Sequence, residues 1–457
     1  MRALRNLLSV VLVFGLSAHA SAADRSASAK EDYVRAPMPA GFQVIVTELE
    51  GPVFADARGH TLYTWPRKPL RNGDIGEVQQ KPICTDQPYR ENSGMMSPYP
   101  AGLELPEVDT RPSCAAMWPP VLAAADAKPI GKWTVVDRPD GGKQWAYNGW
   151  SLYTSALDQK PGDVIGGSAM LMYHTTDSGA GRKPVGPDPN VPPQFSVHTT
   201  MLGRLMALSE GWSVYSYDGD SRNKSNCSAA CLDGWAPILA ANYAHPIGEW
   251  TTFERAPGVR QWAFRGMPVY RHLEDLKYGS LDGGDIPRWH NIYTQKAPPP
   301  PKDFTLNDAP VGIVLGDSQG KTIYRYVCID DAFDQLPCDV PESPQVYRFA
   351  ACGGGDVDRC NHVFPYVIAP VSAKSGNQIW STMDIDPKTG KRTHANQAGA
   401  LHVWAFRGRP VYTFAGFRGY GDTKPGDLKA NDWGEFNAQR HGFHALVYRD
   451  IHASRDE

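Results

Sequence analysis

One nine-residue element occurs three times in this chain, and it constrains the fold more than any other feature. The element at residues 262–270 returns at 404–412 with a single difference, Met267 against Arg409, and a looser copy occupies residues 145–153. Repeated elements of this kind indicate repeated structural units, because each copy buries its apolar side against equivalent neighbours. The sequence therefore predicts three tandem modules.

Each copy of the element has the pattern of a β-hairpin. Asn148-Gly149 suits a turn with positive φ at both central positions, and Arg-Gly takes the same place at 265–266 and 407–408. A second alternating segment around a polar turn opens each module, as at residues 53–65. The 44 glycines and 39 prolines indicate many further turns. We predict an all-β fold of three hairpin-rich modules with minor helical turns, stapled by disulfides.

Changes in composition along the chain set the predicted segment boundaries. Proline-rich stretches without an apolar period separate the repeats and are typical of linkers. The predicted segments are a signal peptide (1–23), a flexible N-terminus (24–41), module one (42–175), a linker (176–197), module two (198–296), a proline-rich linker (297–304) and module three (305–457).

The first residues have the pattern of an export signal. Arg2 and Arg5 precede an apolar run at 7–16, and small residues at 20–22 provide a cleavage site. We therefore expect a periplasmic or secreted protein. No segment reaches the 18 or so apolar residues of a membrane-spanning helix, so we expect no transmembrane segment. The formal net charge of −3 argues against a nucleic-acid partner. The expected partner is an unknown periplasmic protein or a small ligand.

Eight cysteines fit an oxidising compartment and predict disulfides. Three of them occupy equivalent places, four residues before an aromatic residue, and each has an upstream cysteine in its own module. If the repeats are stapled alike, the predicted pairs are Cys84 with Cys114, Cys227 with Cys231, Cys352 with Cys360, and Cys328 with Cys338. The alternative for Cys227 and Cys231 is a metal or redox site.

A short signature identifies a resemblance to a known family. Tyr215, Tyr217 and Asp220 form a Tyr-x-aromatic-x-x-Asp pattern, and Tyr270 and Asp275 repeat it with a histidine in the aromatic position. This resembles the bacterial family described as secreted repeats of unknown function, over most of residues 42–446. The resemblance implies a repeat fold and leaves the reaction, if any, open. These five signature residues are the candidate ligand-binding residues.

One histidine follows the second hairpin of each module, which suggests a shared metal site. His174, His290 and His444 each come directly after an aromatic residue. Three imidazoles meeting on a pseudo-threefold axis would suit Zn²⁺ or Cu²⁺. The alternative is that each histidine makes a local hydrogen bond within its own module.

Acidic loops near the same point offer a second set of candidates. Carboxylates and carbonyls in such loops suit Ca²⁺, but Asp residues that cap turn amides give the same pattern. A pair of carboxylates also suits glycoside hydrolysis, although recurrence in every module argues against a catalytic role. The pairs are Asp158 with Asp163, Asp275 with Asp285, and Asp422 with Asp427.

No motif in the chain names a reaction. The Gly-x-Ser-x-Gly pattern at 316–320 precedes a strand-like segment instead of a helix, which favours a turn over a nucleophilic Ser318. The sequence thus favours a non-enzymatic periplasmic binding or scaffolding protein, with no required cofactor. A metal-binding or redox-accessory protein using one histidine per module, with a transition metal or calcium, is the alternative. A carbohydrate-active hydrolase is the third hypothesis.

Overall fold

The computed structural model describes residues 30–70, 73–87, 112–167, 182–275, 278–309, 312–327, 339–343, 345–373, 378–415 and 442–450. Over these residues the chain is mostly antiparallel strand, arranged in several small sheets with three short helices. The all-β prediction is confirmed. No helix in the described ranges has the length and apolarity to cross a membrane.

Module one opens with a hairpin and continues into two further small sheets. Its elements are β1 (Gln43–Thr47), β2 (Gly51–Ala55), β3 (Tyr63–Thr64), β4 (Lys68–Leu70), β5 (Gly73–Ile75), α1 (Cys114–Met117), β6 (Leu122–Ala123), β7 (Trp133–Asp137), β8 (Lys143–Tyr147), β9 (Trp150–Ser151) and β10 (Lys183–Pro184). β1 pairs with β2, β3 with β10 and β4 with β5, while β8 lies between β6 and β7 and also pairs with β9.

Module two repeats this order with longer strands. Its elements are β11 (Phe195–Thr200), β12 (Gly203–Leu208), β13 (Tyr215–Tyr217), β14 (Trp235–Pro237), β15 (Leu239–Ala240), β16 (Trp250–Ala256), β17 (Val259–Phe264), β18 (Met267–Pro268), β19 (Tyr270–His272), a 3-10 turn (Asp282–Asp285), β20 (Trp289–Asn291) and β21 (Tyr293–Lys296). The sheets are β11-β12-β21, β14-β19-β13-β20, and β15-β17-β16 with β18 on β17.

Module three keeps the plan and adds two helices between its halves. Its elements are β22 (Thr305–Ala309), β23 (Gly312–Gly316), β24 (Tyr324–Val327), α2 (Val346–Gly353), α3 (Val357–Val363), β25 (Trp380–Ile385), β26 (Leu401–Phe406), β27 (Arg409–Tyr412), β28 (Gly442–Ala445) and β29 (Val447–Asp450). The sheets are β22-β23-β29 and β25-β26-β27-β24-β28.

The repeated nine-residue element forms the predicted hairpin in every module. Its central residue pair adopts positive φ each time, at 50° and 80° for Asn148 and Gly149, 50° for Arg265 and 49° for Arg407. Arginine adopts this sterically unfavourable conformation at two of the three positions. This indicates that its side chain is needed there. The stretch at 316–320 is likewise a turn, in which Asp317 Oδ1 accepts hydrogen bonds from the amides of Gln319 and Lys321.

Three of the four predicted disulfides are present. They join Cys84 to Cys114, Cys227 to Cys231, and Cys352 to Cys360. The disulfide at Cys227 and Cys231 takes the place of the alternative metal site. Cys328 and Cys338 lie outside the described residues, so their pairing stays a prediction.

The described parts of two segments predicted as flexible or as linkers, residues 30–41 and 182–197, are folded. Glu31, in the predicted flexible N-terminus, is 3% exposed, and its carboxylate is paired with Arg204 of module two at 2.9 Å. The segment 176–197 contributes β10 to module one and the start of β11 to module two. Composition misled the prediction because Pro184 and Pro189 pair at sheet edges, where a missing amide costs little.

The three modules meet at Glu50, which follows β1. Its carboxylate is 2.7 Å from Nη2 of Arg407 in module three, and Thr199 of module two donates to its other oxygen at 3.3 Å. The Arg407 side chain is 2% exposed, so the Glu50 carboxylate balances a guanidinium charge that is buried in the protein. Two other arginines cross between modules: Arg409 donates to the carbonyl of Ile165, and Arg449 pairs with Asp285.

Candidate functional site

The family signature forms a crossed pair of hydrogen bonds between the two halves of module two. Tyr215, from the first half, donates through its hydroxyl to Asp275 Oδ2 of the second half at 2.9 Å. Tyr270, from the second half, donates to Asp220 Oδ2 of the first half at 2.6 Å. Each Tyr-x-aromatic-x-x-Asp segment therefore supplies a donor to its partner segment and an acceptor for it. The arrangement clamps the halves together.

Burial sets the electrostatics of this crossed pair. Both tyrosines are fully buried, and burial together with the neighbouring carboxylate raises the pKa of Tyr215 well above its usual range. The pKa of Tyr270 is raised to about 12 by burial and by its hydrogen bond to Asp220. Burial also raises the pKa of Asp275, against the lowering effect of His272, whose Nδ1 lies 3.1 Å away. Four of the five candidate ligand-binding residues thus satisfy one another.

The fifth candidate, Tyr217, lies at the end of an aromatic stack. Its ring is 4.8 Å from that of Trp289, which stacks on Trp235 at 3.5 Å. Arg288 lies over the Tyr217 ring at 4.6 Å. Tyr217 and Asp220 are only partly buried, so among the signature residues these two reach solvent. Ligand binding by the signature stays a prediction.

Module one has the same crossed pair with one substitution. Tyr63 donates to Asp158 Oδ2 at 2.6 Å, and the hydroxyl of Tyr153 donates to Glu77. Glu77 comes from the insertion between β3 and α1, because the first half of module one has lysine, Lys68, at the signature position for the acid. Burial raises the pKa of Asp158 to about 7, against the lowering effect of the Tyr63 hydrogen bond.

Module three has a buried cation beside the tyrosine of its second half. Arg348, on α2, is 1% exposed and donates to the Tyr366 hydroxyl at 2.8 Å. Its guanidinium lies 5.3 Å from the centroid of the Tyr412 ring. Tyr412 corresponds to Tyr270, so in the described part of module three a guanidinium lies beside the ring of this tyrosine.

The strand register locates the histidines predicted to share a metal ion. His290 pairs with Ser216 and His444 with Arg325, which are equivalent places in the two modules. In module one the corresponding partner of Thr64 is Lys183. His174 itself lies outside the described residues, so its part in a metal site stays a prediction.

The observed contact of His290 is local. His290 Nε2 is 2.9 Å from Oδ1 of Asp218, and both side chains are 57% exposed. Within the described ranges, no three His, Cys, Asp or Glu side chains come together as a metal site would require. The shared metal ion stays a prediction.

The acidic loops behave as turns where they are described. Asp163 Oδ2 accepts hydrogen bonds from the amides of Gln159 and Lys160, at 3.0 and 2.8 Å. Asp285 pairs with Arg449 of module three. Asp422 and Asp427 lie outside the described residues. A carboxylate that caps its own loop is the turn alternative given by the sequence.

Modules one and two each contain an Arg–Gln pair that links the two halves of the module. The sequence did not reveal these pairs. In module one Arg138 donates to Gln144 Oε1 at 2.7 Å and to the carbonyl of Cys84 at 3.1 Å. In module two Arg255 donates in the same way to Gln261 and Cys227, at 2.8 and 2.7 Å. Module three carries apolar residues at these two positions, Ile385 and Val403, both fully buried. At these two positions the repeat therefore has a polar pair in modules one and two and an apolar pair in module three.

This comparison predicts coupling between Arg138 and Gln144. Gln144→Val alone leaves Nη1 of Arg138 and the carbonyl of Leu152 without their partner, and we expect a loss of about 2 kcal/mol in the free energy of unfolding. The double variant Arg138→Ile/Gln144→Val, which copies module three, should cost at least about 1 kcal/mol less than the sum of the single variants. Chemical denaturation of all four proteins measures the coupling, and additive effects would contradict it.

A concave site lies in module one, between the turn after β2 and the loop after β9. The pocket has a volume of about 710 Å³, within the range of about 300–1,000 Å³ typical of small-molecule sites. It is lined by Asp56, Arg58, His60, Pro119, Pro120, Val121, Leu122, Thr154, Ser155, Ala156, Asp158 and Gln159.

Large side chains occupy the corresponding face of module two. The place of His60, three residues before the first signature tyrosine, is taken by Trp212, and the place of Thr154 by Arg271. The Arg271 guanidinium lies 4.5 Å over the Trp212 ring, and the ring of Tyr278 packs on it at 4.8 Å. The module-one pocket is therefore open because smaller residues replace this packed group. Alignment of the modules on their tyrosines is the sequence signal that would have revealed it.

Comparison with known proteins agrees with the family resemblance. The model of a family described as "Secreted repeat of unknown function" matches residues 134–168. The matched segment contains β7, β8, β9 and the acidic loop with Asp158, so the resemblance inferred from the sequence is confirmed for this part of module one. The family description agrees with a secreted protein. No curated protein and no solved structure shows significant similarity to the chain.

Proposed function

We propose that the chain is an exported, non-enzymatic binding module that holds a small ligand in the module-one pocket, in the periplasm or outside the cell. The observation that carries this proposal is the opening of the pocket at a place that Trp212, Arg271 and Tyr278 fill in module two. Smaller side chains at these surface positions open a site in one module, while the core residues of the repeat stay in place. The pocket's size and mixed lining are those of a ligand site.

An apolar rim on the same face of each module supports the proposal. The eighth residue after the equivalent cysteine is a large aliphatic residue that points outward. Leu122 is 66% exposed, Leu239 49% and Ile368 58%. In module one this residue also lines the pocket, so a ligand there would cover apolar surface that is otherwise in contact with water.

A pocket-filling variant tests the proposal. His60→Trp/Thr154→Arg copies the module-two residues and should abolish binding in the pocket, because the new side chains occupy its volume. We expect ligand-observed NMR with a library of soluble fragments to give hits on the wild-type protein that disappear with this variant.

The matched control is Lys321→Trp, which places tryptophan at the corresponding position of module three and should retain every hit. Circular dichroism establishes that both variants remain folded. Hits that persist unchanged in the filled variant would overturn the proposal.

A further inference from the structure

The acidic groups of the module-one pocket are already satisfied by the protein. Asp56 Oδ1 accepts hydrogen bonds from the amides of Arg58 and His60, both at 2.9 Å, and its Oδ2 is 3.3 Å from His60 Nδ1. Asp158 accepts from the Tyr63 hydroxyl through one oxygen and from the amide of Gly166 through the other. Both carboxylates therefore have hydrogen-bond partners within the protein, and neither requires a cationic ligand.

The basic side chains of the pocket are less fully paired than its acids. Arg58 is exposed at the tip of the turn, and its guanidinium has no partner within the part of the chain that the structure describes. His60 directs Nδ1 toward Asp56, and the neutral tautomer that donates there has an acceptor at Nε2. The donor group that this pocket offers to a ligand is therefore the Arg58 guanidinium, which is suited to bidentate binding of a carboxylate.

The opposite wall of the pocket is apolar. Pro119, Pro120 and Val121 run along it, and Leu122 continues it to the surface. None of the described residues that line the pocket is Phe, Tyr or Trp, so the broad stacking surface that suits a sugar ring is missing from this lining. A ligand that satisfies both walls carries an anionic head and an aliphatic body.

We infer that the module-one pocket binds an organic monocarboxylate, with the carboxylate at Arg58 and an aliphatic body along Pro119, Pro120 and Leu122. This inference rests on the proposed function and specifies its ligand class. The geometry that carries it is the contrast between the satisfied acids Asp56 and Asp158 and the unpartnered guanidinium beside an apolar wall.

Calorimetric titration of the full-length mature protein with hexanoate, hexanamide and hexylammonium tests the inference. We expect hexanoate to bind most tightly, and Arg58→Gln to weaken its affinity roughly tenfold through loss of a charge-assisted hydrogen bond. Lys321→Gln removes a cation from the equivalent turn of module three and should leave the affinity unchanged.

The outcomes separate the ligand class from the pocket. If hexanamide or hexylammonium binds as tightly as hexanoate and His60→Trp/Thr154→Arg abolishes that binding, the pocket stands and the carboxylate assignment is overturned. If none of the three probes binds, the carboxylate assignment is likewise overturned, while the fragment screen decides the proposed function independently. Equal affinities of the wild-type protein and Arg58→Gln for hexanoate would also contradict it.

Discussion

Glu50→Ala is expected to lower the free energy of unfolding by about 3–5 kcal/mol, because it leaves the buried Arg407 guanidinium without its carboxylate. Arg407 is 2% exposed, and its ion pair with Glu50 at 2.7 Å joins module three to module one. The variant also removes the acceptor of the Thr199 hydroxyl from module two. We therefore expect guanidinium denaturation, followed by tryptophan fluorescence, to show an earlier and less cooperative transition.

The repeat provides a matched control for this prediction. Arg265 occupies the position of Arg407 in module two and pairs with Glu249 through two contacts of 2.8 Å. This pair lies nearer the surface, with side-chain exposures of 22% and 35%. Glu249→Ala should therefore cost about 0.2–1 kcal/mol. Equal losses for Glu50→Ala and Glu249→Ala would show that Glu50 does not hold the modules together.

Asp158 is expected to make the protein less stable as the pH rises from about 4 to 7. Burial raises the pKa of this carboxyl to about 7 in the folded protein, against an ordinary value of 3.8. Between these values the folded state keeps a proton that the unfolded state has lost, so the stabilising contribution is present below the lower value and disappears as the pH passes the upper one. The difference corresponds to about 4 kcal/mol.

Asp158→Asn removes this titration and provides the reference. The free energy of unfolding of the wild-type protein, relative to Asp158→Asn, should fall between pH 4 and 7 and level off above it. Tyr63→Phe removes the hydrogen bond that favours the ionised carboxylate, and it should move the end of the fall to higher pH. A constant difference between wild type and Asp158→Asn from pH 4 to 8 would contradict the assignment.

The parts of the fold that sequence could predict are those encoded over a few residues. The Asn148-Gly149 turn is set by local backbone preferences, and the Cys227–Cys231 disulfide spans only four positions. The crossed hydrogen bonds were not predictable in the same way. Tyr63 and Asp158 are 95 residues apart, and Tyr153 finds its acid at Glu77 in an insertion, where no fixed spacing applies.

The features of the candidate site depend on substitutions between repeats. Sequence spacing placed His174 beside His290 and His444, whereas the sheet register gives that strand position to Lys183. The pocket exists because His60 stands where module two has Trp212. This difference is visible in the sequence once the modules are aligned. Its effect on the pocket volume can be judged only from the packing of side chains in both modules.

Crystallographic fragment screening of the mature protein tests the central claim most directly, because it locates every bound fragment without assuming its chemistry. The account predicts fragments in the module-one pocket, between the turn of Asp56 to His60 and the wall that ends at Leu122. It also predicts that the filled face around Trp212 in module two stays empty. Fragments bound at the faces of modules two and three, with none in the module-one pocket, would contradict the account.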